Sequence, residues 1–197
     1  MTANTDVVIW DSRTVRRNAL TIAAWSIAFF IVVGVITFAI GSGTKDPDLQ
    51  LWGALRFGTV IGALVGTIVS FVLTRPLAAE LQAAKTYTGY RPMARVVLRA
   101  KDESLPTDDV GPARRLAALT ITYSPFYVAQ FTLLFLALVI QQLSVKSSEI
   151  FQTIGGFLTA VIVAAWVVLV IQGFIQRRNA KAFMLESHPI APHPASN

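Results

Sequence analysis

Four stretches of the chain are apolar and almost free of charge: residues 19–40, 52–74, 119–143 and 150–175. At about 1.5 Å of rise per residue, a helix of any of these lengths crosses a hydrocarbon layer of ~30 Å. The first run is too long for the apolar core of a cleaved leader, which spans ~7–15 residues, and a second run follows closely. The pattern predicts an all-α, polytopic membrane protein with four transmembrane helices in two hairpins. The hairpins, 19–74 and 119–175, close through short connections at 41–51 and 144–149. Polar chain lies at 1–18, at 75–118 and at 176–197.

Composition sharpens this reading. Hydrophobic residues make up 54% of the chain and charged residues 14%, against ~25% charged in ordinary soluble domains. The mean hydropathy is +0.57. A soluble globular class is excluded by where the apolar residues fall, in blocks rather than in short periodic stripes.

The central polar segment carries its own pattern. Arg75-Pro76 closes the second run, and the amphipathic stretch after it, LAAELQAAKTY, can prolong the helix, since proline need not end a membrane helix. Residues 93–100 read as an amphipathic helix lying at the membrane surface. Met93, Val96 and Val97 are available to lipid, and Arg91, Arg95 and Arg99 form an i,i+4 stripe. DESLPTDDVGP reads as a turn-rich linker, and Asp108-Asp109 there as solvated loop or an acidic helix start. In the third run, Ser124-Pro125 frees a backbone carbonyl and is expected to bend the helix.

Charge then orients the chain. The net charge is +6, and the basic residues crowd the ends of the apolar runs. Three arginines precede the first run, eight basic residues occupy 75–118, three follow the fourth run, and each short connection holds one lysine. Positive-inside bias puts the central segment and both termini in the cytoplasm. The same distribution favours anionic phospholipids over nucleic acid as the partner of these cations. Arginine outnumbers lysine, and alanine and valine are abundant. The expected location is therefore the plasma membrane of a bacterium.

The two hairpins resemble each other. Arg16-Arg17 precedes the first run and Arg114-Arg115 the third, and Leu20-Thr21-Ile22 aligns with Leu119-Thr120-Ile121. This outlines a parallel two-helix repeat. Any even-numbered bundle that obeys the charge bias gives a similar outline, so duplication and coincidence both stay open.

Three features stand out inside the runs. Ala54, Gly58, Gly62, Gly66 and Ser70 recur at every fourth position, making one helix face nearly flat and open to close approach by another backbone. The partner is either another helix of this chain or another subunit. Gly156, Ala160 and Ala164 form a weaker version, with mutual packing of the two faces as one arrangement. Arg56, just inside Trp52, is the one charge within a run. It suits a snorkelling side chain paired with Asp46 or Asp48, an intersubunit ion pair, or a lipid phosphate. Gln130 needs a hydrogen-bond partner on a neighbouring helix or a local carbonyl, because an unpaired amide in hydrocarbon is costly.

No catalytic constellation appears. The chain has no cysteine, and no apolar run contains Asp, Glu or His. His188 and His193 fall in a proline-rich tail. There is no Gly-rich phosphate loop, HExxH, GxSxG or CxxC. No metal, cofactor or enzymatic activity is expected. The leading expectation is a non-catalytic accessory or assembly subunit whose partners are other integral membrane subunits. Respiratory complexes come first among the hosts because they hold many small helical subunits. The alternatives are an oligomeric transporter or channel module, built as a homo-oligomer, and a membrane-bound regulator that holds a cytoplasmic partner through 75–118.

Overall fold

The computed structural model describes residues 10–41, 47–99, 105–142 and 149–186. Lys45, Asp46, most of the second short connection, and His188 and His193 lie outside the described residues. All regular structure among the described residues is helical: α1 (Ser12–Ile40), α2 (Pro47–Lys85), α3 (Tyr90–Arg99), α4 (Thr107–Gln142) and α5 (Glu149–Glu186). Four of these, α1, α2, α4 and α5, are long and apolar enough to cross a membrane. The protein is a multi-pass, all-α membrane protein.

The helices outrun the apolar stretches. Asp11 caps α1, its carboxylate accepting from the Thr14 amide at 2.7 Å. Hydrogen bonding from the Thr14 side chain, and then from its amide, holds the Asp11 carboxyl below its ordinary pKa. Helix α2 continues unbroken through Pro76 to Lys85, although the proline cannot donate to the preceding turn. Helix α4 begins at Thr107, so residues 107–112 of the stretch read as linker are helix, with Asp108 and Asp109 in the first turn. Carboxylates there face the positive end of the helix dipole. Helix α5 runs to Glu186, so residues 176–186, read as tail, are helical too.

Two compact units share these helices. The first, which we call the membrane unit, is Trp10–Arg75 with Pro125–Ile171. Its centre is α2: 39% of that helix's most apolar stretch is buried, against 6% for each of α1 and α5. The second, the basic unit, is Pro76–Ser124 with the end of α5 from Gln172. Its core comprises Met93, Val97, Ala113, Leu116, Ala117 and Ala180, all 1% exposed or less. Leu81, Tyr90, Leu98, Phe183 and Met184 pack around it. Met93 and Val97 therefore meet protein, not lipid. An amphipathic stripe shows that one face is apolar but not what covers it, and here α4 and α5 do.

Candidate functional site

The small-residue face of α2 is buried along its whole length, from Ala54 through Gly58, Gly62 and Gly66 to Ser70. Its partner is α1 of the same chain. A Cβ on Gly58 would lie 2.7 Å from the Phe30 carbonyl oxygen, and one on Gly62 would lie 2.6 Å from that of Ser26. Neither position tolerates a methyl group without moving backbone. A Cβ on Gly66 would collide with the Ser26 hydroxyl.

The answering face on α1 is Ser26, Phe30 and Gly34, again at every fourth residue. One and two turns earlier on α1, Ile22 and Asn18 are buried as well. Sequence reasoning missed this face because only Ser26 and Gly34 on it are small. By contrast Gly156, Ala160 and Ala164 on α5 are exposed, and nothing lies within 4 Å of a Cβ built on Gly156. The two small-residue faces do not pack on each other, because α1 already occupies that of α2.

Gln130 is 1% exposed. Its side-chain amide donates to the Thr74 hydroxyl at 2.8 Å, tying α4 to α2. The Thr74 hydroxyl donates to the Ser70 carbonyl at 2.7 Å. The Gln130 Oε1 and the Ser70 hydroxyl are buried without a hydrogen-bond partner. Between α4 and α5, the Trp166 indole donates to the Thr132 hydroxyl at 3.1 Å. The two side chains line an apolar groove of about 280 Å³ with Phe135, Leu136, Val139 and Val163.

Arg56 is half-buried. Its guanidinium carbon sits 5.3 Å from the centroid of the Phe57 ring, within cation–π range. Its Nε is buried with no hydrogen-bond partner.

In the basic unit, Arg91, Arg95 and Arg99 are all exposed while Met93 and Val97 face inward. Four polar contacts fix the helices beneath this ridge. Glu80 on α2 pairs with Arg115 on α4. Asn179 on α5 donates to the Leu98 carbonyl near the end of α3 at 2.9 Å. Ser124 on α4 donates to the Gly173 carbonyl on α5 at 2.9 Å. The Tyr87 hydroxyl donates to Asp109 on α4 at 2.8 Å, and that bond to a carboxylate pushes the phenol's pKa up.

Among the described residues, no group of three or more His, Asp or Glu side chains is placed to hold a metal ion. Comparison with known protein families, with curated proteins and with solved structures finds no match.

Proposed function

We propose that the protein is a non-catalytic subunit that helps assemble or stabilise a larger complex in a bacterial plasma membrane. In this reading the spans form two hairpins, both termini and the basic unit are cytoplasmic, and the partners are other integral membrane subunits. The observation that carries it is the ridge of Arg91, Arg95 and Arg99. An amphipathic helix whose apolar side is already buried by α4 and α5 has no need of lipid. Its arginines are instead held in a row on a packed platform, suited to an acidic surface on a neighbouring subunit. The poorly buried outer faces of α1 and α5 offer lateral surface for lipid or for partner helices.

The two-helix repeat enters this reading as a repeat of hairpins only. The aligned residues Leu20 and Leu119 differ in environment, at 61% and 1% exposed.

The test is native mass spectrometry of the protein released gently from its source membrane. The variant Arg91→Glu/Arg95→Glu/Arg99→Glu is run beside the wild type. Stoichiometric larger subunits with the wild type, lost in a variant that still folds, support the proposal. Recovery only as a homo-oligomer, or retention of the same partners by the variant, overturns the ridge as the docking surface.

A further inference from the structure

The first two turns of α1 carry a second cluster of cations that the docking ridge does not use. Arg13, Arg16 and Arg17 are all exposed. With Leu20, Thr21 and Ala24 they line a shallow concavity of about 440 Å³. These six residues share one side of the helix, roughly opposite the side on which Asn18 and Ile22 are buried. Below the arginines the same side is apolar and uncovered: Leu20 is 61% exposed, Ile27 58% and Ile31 53%. The cations sit where the span leaves the hydrocarbon, so one continuous strip passes from charge to bare hydrocarbon surface.

The local charge selects the occupant. Asp11, at the start of the helix, is engaged as its cap. Among the described residues there, three guanidinium groups against one carboxylate leave about two positive charges. The matching anion carries two negative charges, and the apolar strip requires that it also carry acyl chains. Guanidinium groups suit phosphate oxygens because they present several donors in a fixed plane. We propose that this side of α1 binds the headgroup of a cardiolipin-type phospholipid, its two phosphates held by Arg13, Arg16 and Arg17. The acyl chains lie along Leu20, Ala24, Ile27 and Ile31. The site needs α1 to span the membrane and is independent of whether the protein is an accessory subunit.

The full chain in detergent micelles is titrated with tetraoleoyl cardiolipin, dioleoyl phosphatidylglycerol or dioleoyl phosphatidylcholine, and bound lipid is counted by native mass spectrometry. The wild type should retain one cardiolipin at least about tenfold more tightly than phosphatidylglycerol. Arg13→Gln/Arg16→Gln/Arg17→Gln should weaken that binding by roughly 100-fold. Thr21→Glu, which puts a negative charge into the concavity and leaves every arginine in place, should also weaken it. Arg91→Gln/Arg95→Gln/Arg99→Gln removes the same charge elsewhere and should leave it unchanged. Equal retention of the three lipids overturns the proposal. So does an equal loss in the two triple variants, which would mean that cardiolipin responds to net charge alone. Inorganic pyrophosphate that displaces the lipid at matched concentration would also overturn it, because the site would then read phosphate without hydrocarbon.

Discussion

The two units hold their helices together in opposite ways. In the membrane unit the closest contact is made by the smallest residues. Gly58, Gly62 and Gly66 let α2 approach the α1 backbone at Ser26 and Phe30, while large side chains such as Ile31, Val35, Ile68 and Phe71 point outward. The basic unit has a core of large side chains, with Leu77, Met93, Val97 and Leu116 at 1% exposed or less, although Phe174, Ile175 and Leu185 of the same unit are exposed. Under the proposed topology, with the basic unit in water, solvent accounts for this difference. Lipid tails are as apolar as leucine, so burying a large side chain between spanning helices gains little, and close backbone packing has to hold them instead. Where water is the alternative, burying a large apolar side chain stabilises by ~1.5–3 kcal/mol, and the core is built from such groups.

The comparison can be broken most sharply at the glycines. Gly62→Leu forces α1 and α2 apart and should cost about 3 kcal/mol or more, read as thermal unfolding in detergent. Gly53→Leu, with open space at its Cβ, should stay within about 0.5 kcal/mol of wild type. Equal effects would mean that the stripe does not mediate the contact. The next largest effect belongs to the basic unit. Met93→Ala leaves a cavity beside Val97 and Leu116 and should cost ~2–5 kcal/mol. Val72→Ala, at a position 65% exposed on the apolar part of α2, should change stability by less than about 0.5 kcal/mol.

This difference also explains what the sequence could and could not reveal. The four spanning helices were legible because runs such as 19–40 hold no charge at all, and the stripe of α2 because its spacing is so regular. The answering face of α1 was not legible, since Asn18, Ile22, Ser26, Phe30 and Gly34 share a spacing but no size or polarity. The extent of the basic unit was also hidden. Ala113, Leu116 and Ala117 sit beside turn-forming residues, and Ala180 and Phe183 lie beyond Arg177-Arg178, which reads as a stop. Their core joins segments far apart in the chain, and local pattern cannot report that pairing. For the same reason the apolar side of α3 reads, from sequence alone, as facing lipid.

Smaller effects sharpen the contrast. Gln130→Leu removes the bond to Thr74 and also the unpartnered Oε1, so the two losses oppose each other. Stability should shift by no more than about 1 kcal/mol, whereas a larger loss would show that Gln130 anchors α4 to α2. Glu80→Gln breaks a pair whose side chains are 33% and 35% exposed, and after solvent screening about 0–1 kcal/mol should be lost.

The smallest effect is a pH dependence. Tyr87 has its pKa raised by the bond to Asp109, so its contribution is fully present below the phenol's ordinary pKa. It is lost as pH rises through the elevated one. Tyr87→Phe should remove that alkaline dependence, and an unchanged alkaline unfolding profile would rule the bond out as its source.

The close approach of α1 and α2 within one chain can be tested directly, because the protein has no cysteine of its own. A Cβ on Gly66 would lie 3.3 Å from that of Ser26, close to the separation a disulfide bridges. Ser26→Cys/Gly66→Cys, oxidised in the membrane, should form an intramolecular bridge that migrates as a monomer and blocks thiol labelling. Ser26→Cys/Gly156→Cys should stay reduced. Bridges found only between two copies of the chain would contradict the account and place the small-residue face at a subunit interface.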